Sequence, residues 1–331
     1  MKKIGVLTSG GDSQGMNAAI YATVRYGLEL GFEVYGIRHG YQGLIDGEVE
    51  KLSAKSVENI AHRGGTVLGT ARCPAMQTPE GMAKAVATLT KYGIEGLVVI
   101  GGDGSFAGAK RLTTQQGVKT IGIPGTIDND LAYTDFTLGF DSATAVVVNA
   151  VNALRDTMSC NNRTCVVEVM GRDCGDIALY GGLASGAEAI LVPELGYDLD
   201  KLVNVIKHNA SVGKYDNIIV VAEGIRSDGS LDKGHEADKI ASDILKRIPD
   251  INIRTMVVGH LQRSGDATLQ DRLLGIRMGA HAVKCLHEGK TNRVIGVKDN
   301  TIFDEDIVEA LAKTKTFDKA TFELAEKLAK Y

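Results

Sequence analysis

Gly96-Leu97-Val98-Val99-Ile100-Gly101-Gly102-Asp103-Gly104-Ser105 sets four consecutive aliphatic residues against a glycine turn with an acid inside it. Apolar at successive positions, the run suits a strand covered on both faces, and the glycines suit a tight turn into a helix opening near Ala107. The same order of events recurs outward in both directions. Ile4 to Leu7 precedes Gly10-Gly11-Asp12 and a helix opening near Gly15, Ile121 to Ile123 precedes Gly125, and Val166 to Met170 precedes Gly171. Ile218 to Ala222 then precedes Gly224, and Met256 to Val258 precedes Gly259. Amphipathic stretches over Met16 to Leu30, Pro79 to Tyr92 and Ser142 to Met158 fill intervals, the last with Val147, Val151, Leu154 and Met158 on one face. Strand, turn and helix in repetition predict an α/β fold with parallel sheets. The tail from Asp304 to Tyr331 reads as helix, with Leu311, Leu324 and Leu328 available for packing.

With 331 residues the chain is long enough for about two domains, each with its own core. No low-complexity linker or fixed-period repeat marks a boundary between them. Thirty-seven Lys and Arg against 41 Asp and Glu leave a net charge of -4, and only 5% of residues are aromatic, with no Trp. Neither the positive field nor the stacking platforms of a nucleic-acid binder are present, so no nucleic acid partner is expected. No apolar run approaches the roughly 20 residues that span a bilayer, and Ile4 to Leu7 is too short for a signal-peptide core. Five cysteines, an odd number without a Cys-x-x-Cys pair, argue against a disulfide framework or a zinc site. The expectation is a cytoplasmic protein with no membrane partner.

In an open parallel sheet, ligands bind beyond the carboxyl ends of strands, where helix N-termini present backbone N–H groups. Gly10-Gly11-Asp12-Ser13 and Gly102-Asp103-Gly104-Ser105 lie at such ends. Either admits phosphate oxygens to the backbone, and Asp103 places a hard oxygen where a phosphate-bound Mg²⁺ needs one. Each alone could equally be a plain turn with an Asp cap. Gly289-Lys290-Thr291 lacks the upstream glycine of a P-loop, having Lys284 instead, and no G-x-G-x-x-G follows the first strand. Pro124-Gly125-Thr126-Ile127-Asp128-Asn129-Asp130 puts two carboxylates two residues apart behind a strand. One carboxylate can take the proton of an attacking hydroxyl, and the second can hold substrate or metal. A helix-capping Asx turn explains one Asp more easily than two. Arg163, Arg172, and His260 with Arg263 lie at or near strand ends, where guanidinium forks suit a phosphorylated substrate.

Gly10-Gly11-Asp12 with Gly15-Met16-Asn17, Gly101 to Ser105, Pro124 to Asp130, Met170-Gly171-Arg172 and Gly259-His260-Leu261-Gln262-Arg263 together resemble the bacterial ATP-dependent 6-phosphofructokinases. The matches run in order through Asp271-Arg272. The resemblance implies two three-layer α/β/α sandwich domains with mostly parallel sheets. An ATP-binding domain would span 1–139 plus 262–312, and a fructose 6-phosphate-binding domain 140–261 plus 313–331. It assigns Gly11, Arg72, Cys73, Gly102, Asp103, Gly104 and Ser105 to ATP, with Asp103 serving Mg²⁺. It makes Asp128 the base for the sugar 1-hydroxyl, with Thr126, Arg172 and Arg72 as further catalytic groups. Thr126, Asp128, Asp130, Met170, Gly171, Arg172 and Glu223 would hold the sugar and the moving phosphoryl group. Arg254, His260 and Arg263 would grip the 6-phosphate, with Arg163 and Arg254 coming from a neighbouring subunit of a homotetramer.

Pyrophosphate-using members of the same family typically carry Asp at position 104 and Lys at 125, whereas this chain has glycine at both, which predicts ATP as donor. In the family's effector site Arg25, Arg155, Glu188 and Lys214 match, but Tyr21, Ala54 and Val212 replace cations. The response to ADP or phosphoenolpyruvate is therefore expected to be weak. Ser13-Gln14 and Ser264 also depart from the family's usual residues, and the stretch from Glu223 to Arg254 is longer, which reads as a surface insertion around Ser227 to His235. NAD and lipid kinases share the GGDG turn but not the Thr126 to Asp130 or His260 to Arg263 patterns. A sensor that had lost catalysis would lack Asp128, Arg172 or Asp103, and all three are present.

Overall fold

A computed structural model describes residues 1–225 and 235–329. The strands are β1 (Lys3–Ser9), β2 (Glu33–Ile37), β3 (Val49–Leu52), β4 (Gly96–Gly101), β5 (Lys119–Pro124), β6 (Thr164–Val169), β7 (Ala189–Leu191), β8 (Asn217–Ala222), β9 (Ile253–Val257), β10 (Arg293–Lys298) and β11 (Thr301–Asp306). The α-helices are α1 (Met16–Glu29), α2 (Gly40–Asp46), α3 (Pro79–Tyr92), α4 (Asp103–Gln116), α5 (Phe140–Cys160), α6 (Asp176–Ala184), α7 (Leu199–Ser211), α8 (Glu236–Arg247), α9 (Leu269–His287), α10 (Ile307–Leu311) and α11 (Lys319–Leu328). The chain divides into two compact units. Unit 1 comprises Met1–Ile127, Leu131–Ser142 and Arg263–Lys315, and unit 2 comprises Asp128–Asp130, Ala143–Gln262 and Thr316–Tyr331.

Unit 1 is built on a seven-stranded sheet ordered β11-β10-β5-β4-β1-β2-β3. Its centre is parallel, and only the outermost strands β3 and β11 run antiparallel to their neighbours. Alternation along β4 explains the two covering layers. Val98 and Ile100 join Met16 and Ile20 of α1 and Leu274 and Met278 of α9 in one buried cluster. Leu97 and Val99 join Leu44, Met82, Phe106 and Leu112, from α2, α3 and α4, in another. Sheet between helices on both faces is the three-layer arrangement that continuous apolar strands require.

Unit 2 carries a four-stranded, wholly parallel sheet ordered β7-β8-β6-β9. Val166, Ile219 and Val221 pack with Leu202 and Ile206 of α7 and Ile240 and Ile244 of α8. On α6, a Cβ added at Gly182 would stand 2.7 Å from Ile190 of β7, so helix and sheet meet where there is no side chain to separate them. β9 is an edge strand with an exposed Arg254 and Thr255.

The glycine-ended runs are strands, and Pro79–Tyr92 is helical as read, while α4 begins at Asp103 rather than near Ala107. The tail differs from its reading. Thr301–Asp306 pairs antiparallel with β10, so Asp304 lies in a strand, and two separate helices follow with 312–318 between them. Leu324 and Leu328 are 48% and 67% exposed in this chain, and Ala325 is the residue α11 buries. The insertion read around Ser227 to His235 lies almost wholly outside the described residues, with His235 the N-cap of α8. Among the described residues, no helix is long and apolar enough to cross a membrane.

Candidate functional site

In unit 1, β1 and β4 lie side by side, with Ser9 opposite Gly101, so their two glycine turns open at the same sheet edge. Gly10 takes φ 92, a conformation that favours glycine. Gly102 caps α4, and Asp103, exposed in the first turn, accepts the Gly104 N–H at 2.7 Å. The N-cap position belongs to Gly102, so Asp103 stands one residue inside the helix rather than at its cap position. An exposed carboxylate at a helix N-terminus fits Mg²⁺, which takes one or two protein carboxylates and completes its shell with water and phosphate oxygens. Gly104 faces open space, where an added Cβ would meet nothing within 4 Å. Gly125 is the reverse: an added Cβ would lie 2.9 Å from Met16 Cε and 3.0 Å from Ile100.

Ser105 is buried and donates its hydroxyl to Ser9 O at 3.0 Å, lacing the two turns together. Arg263, read for the 6-phosphate, reaches the first turn and donates Nη1 to Asp12 O at 2.6 Å. A Cβ at Gly11 would stand 2.9 Å from that same nitrogen. Arg72 is exposed and Cys73 half-buried just before the 3₁₀ turn Pro74–Gln77. Thr126 is tied by its carbonyl, which accepts the Thr137 hydroxyl at 2.7 Å.

In unit 2, Asp128 is only 6% exposed and its Oδ2 lies 3.8 Å from Arg172 Nε. Asp130 lies 3.7 Å from Nη1 of the same guanidinium. Asn129 between them takes φ 52 and donates to Asp176 at 2.9 Å, so the turn directs both acids towards one arginine. Arg172 itself takes φ 59, and Glu223 Oε1 accepts the N–H groups of Gly171 at 3.3 Å and Arg172 at 2.8 Å. Glu223 therefore acts on backbone, a role its residue type did not reveal. Gln262, fully buried, accepts the Met170 N–H at 2.8 Å and was not singled out from the sequence. His260 is exposed in the 3₁₀ turn Gly259–Arg263. Arg254 donates to Ile253 O at 2.8 Å, and Arg163, half-buried, has a buried Nε without a hydrogen-bond partner.

Of the residues read as an effector site, Arg155 and Lys214 converge on buried Glu188 at 3.2 and 3.1 Å, and Glu188 also accepts the Ile218 N–H at 2.6 Å. Arg25 is exposed on α1. Val212 is 54% exposed and carries no charge.

All five cysteines are free. His281, Cys285 and Asp304 in unit 1 come close enough to suggest a metal, but Lys290 and Arg293 already hold Asp304 at 2.9 and 2.8 Å. Burial opposes ionisation of Asp304, yet the hydrogen bonds from Lys290, His281 and Arg293 outweigh it and keep the carboxyl well below the usual range. Burial pushes the Cys285 thiol up to about 12, so this cluster is an ion-paired anchor rather than a reactive one.

Glycine turns at parallel strand ends in unit 1, and an acid pair sharing an arginine in unit 2, define an α/β protein built to handle anionic groups at strand termini. Residues 3–286 match the phosphofructokinase family model. The chain belongs to the phosphofructokinase family. It is 53% identical over 329 residues to the ATP-dependent 6-phosphofructokinase of Clostridium tetani (strain Massachusetts / E88), covering 99% of this chain and 100% of that one. Among solved structures, phosphofructokinase from Saccharomyces cerevisiae is 34% identical with a TM-score of 0.87, covering 99% of this chain, which spans 48% of the yeast chain. A pyrophosphate-dependent phosphofructokinase from Nitrosospira multiformis, 20% identical, superposes with a TM-score of 0.88, covering 100% of this chain and 92% of that one. The fold is therefore common to proteins named for different phosphoryl donors, and side chains must distinguish them.

Proposed function

We propose that this chain transfers the γ-phosphoryl group of ATP to the 1-hydroxyl of fructose 6-phosphate, giving fructose 1,6-bisphosphate and ADP in glycolysis. The observation that carries the reading is the Asp128–Arg172–Asp130 cluster, in which one guanidinium stands beside both acids of a strand-end turn. Asp128, mostly withdrawn from water, takes the proton of the attacking hydroxyl as the new O–P bond forms. Arg172 faces the charge that develops on the moving group, and Arg72 does the same from the unit 1 residues. Gly11 and the Gly102–Ser105 turn receive the nucleotide, with Asp103 as the residue that holds Mg²⁺. When bound, Mg²⁺ supplies positive charge to the phosphate oxygens. Thr126, Asp130, Met170, Gly171, Glu223, His260 and Arg263 hold the sugar phosphate, with Arg163 and Arg254 serving a neighbouring subunit's site in a cytoplasmic homotetramer.

Two glycines support ATP as the donor. Open space at Gly104 leaves room for a nucleotide beyond the β-phosphate, and a Lys at 125 would have to displace the Met16 and Ile100 side chains. A coupled assay of purified protein with ATP or pyrophosphate, against fructose 6-phosphate or tagatose 6-phosphate, tests the reading. ATP with fructose 6-phosphate is the expected best pair. Turnover with pyrophosphate at a matching kcat/KM would overturn the donor assignment. Because Tyr21, Ala54 and Val212 stand where the family's effector site has cations, response to ADP and phosphoenolpyruvate should be weak. Full inhibition by sub-millimolar phosphoenolpyruvate would refute that.

A further inference from the structure

The segment from Arg63 to Arg72 has no regular secondary structure, yet buried side chains hold it along its length. Asn17, second residue of α1 and 1% exposed, is the largest of these anchors. Its Nδ2 donates to Arg63 O at 3.0 Å and to Gly64 O at 3.1 Å, and its Oδ1 accepts the Val67 N–H at 2.8 Å. Thr8 of β1, fully buried, continues the hold by donating to Gly69 O at 2.8 Å and sharing a 2.9 Å contact with the Thr66 hydroxyl. Thr70 closes it by donating to Gly10 O at 2.7 Å, on the glycine turn itself. Leu68 between these anchors is buried in the core under α1.

A loop without a ladder must satisfy its carbonyls and N–H groups elsewhere, and one primary amide supplying two donors and an acceptor does this for three residues at once. The amide stands on a helix whose start packs closely on α9: a Cβ at Gly15 would lie 3.1 Å from Asp271 O. The same segment that Asn17 fixes is thus referenced to the Gly10 turn two residues before Arg72 leaves it. We propose that Asn17 is a positioning residue for Arg72, acting on the donor through the 63–70 backbone. This rests on the assignment of Arg72 to ATP given above.

Asn17→Asp is the informative variant, because it keeps the acceptor for the Val67 N–H and turns both donors into an oxygen facing two carbonyls. The expected result is a KM for ATP raised about ten-fold, the scale of a lost buried hydrogen bond, with KM for fructose 6-phosphate within two-fold. In the Arg72→Ala background the same substitution should change ATP kinetics by less than two-fold, since coupled residues are not additive. Hydrogen exchange at 63–70 should quicken. Asn17→Ser, which keeps part of the net, gives the same pattern at smaller amplitude if Asn17→Asp does not fold. Equal shifts in both KM values, full additivity with Arg72→Ala, or faster exchange with unmoved ATP kinetics would each overturn the inference. A wild-type enzyme inactive with ATP and fructose 6-phosphate would instead remove the functional reading on which it stands.

Discussion

Asp128 combines near-complete burial with an arginine at 3.8 Å, so its carboxylate has a fixed bearing. Asp128→Asn preserves shape and removes the basicity together with the negative charge that faces Arg172. The expected outcome in steady-state kinetics is a kcat lower by about 10² or more with KM values within a few-fold, since the lost interaction belongs to the transition state. A variant with near-normal kcat would remove Asp128 as the base. Asp271 presents the opposite electrostatics. It is 1% exposed, and its oxygens accept the Gly139 N–H, the Ser142 N–H and the Ser142 hydroxyl at 2.9, 2.9 and 2.6 Å. Burial raises its pKa to about 6 against the pull of those three bonds, and Asp141 nearby adds to the rise. Because the folded value exceeds the unfolded one, the native state binds the proton first as pH falls from about 6 to about 4. Asp271 therefore contributes more stability at the acid end of that window and loses it as pH rises. Asp271→Asn, which has no such titration, should lie further below wild type in Tm at pH 5 than at pH 7. A gap that narrows on acidification would reverse the assignment.

At the level of elements, α1 and α9 approach closely because glycines on α9 face the α1 backbone. A Cβ at Gly279 would stand 2.5 Å from Ala19 O and 3.0 Å from the Ala22 Cβ. Replacing a mid-helix Gly by Ala ordinarily gains about 1 kcal/mol of propensity. Here the near atom is backbone, which cannot rotate away, and overpacking costs about 1–3 kcal/mol, so Gly279→Ala should lower stability to urea. A gain would mean that the two helices can separate freely. Helices α1, α3, α4 and α5 and strands β1, β4, β5, β6, β8 and β9 were legible, the strands because glycine-ended aliphatic runs have one good reading, whereas α2, α6 to α9, β7 and β10 carried no such signal. β2 and β3 were not, since Glu33, Tyr35, Glu50 and Lys51 break the apolar pattern at a sheet margin that faces water on part of its surface. β11 misled further: Asp304-Glu305-Asp306 looks like an acidic first helical turn, but pairing with β10 claims it as strand and leaves Asp306 to cap α10. In the candidate site the acids and arginines were legible by residue type. Glu223, Gln262 and Asn17 act on backbone groups whose positions only the folded chain supplies.

For the whole molecule the decisive question is whether a single chain suffices. Arg254 is exposed on edge strand β9, and Arg163 keeps a buried Nε without a hydrogen-bond partner. If both serve a neighbour's site, then Asp128→Asn and Arg254→Ala disable different halves of it. In a two-fold pair formed from one of each, one site is wholly defective, while the other combines the intact Asp128 of one chain with the intact Arg254 of its partner. With random assembly at equal dose half of the pairs are mixed, so co-expression should restore about a quarter of wild-type kcat per site from two nearly inactive parents. Activity confined to the average of the parents would mean that each chain completes its own site. Restoration that appears on co-expression and disappears when the parents are merely mixed after assembly would identify co-assembly of the two chains as the route, without later subunit exchange, and the shared site as its cause.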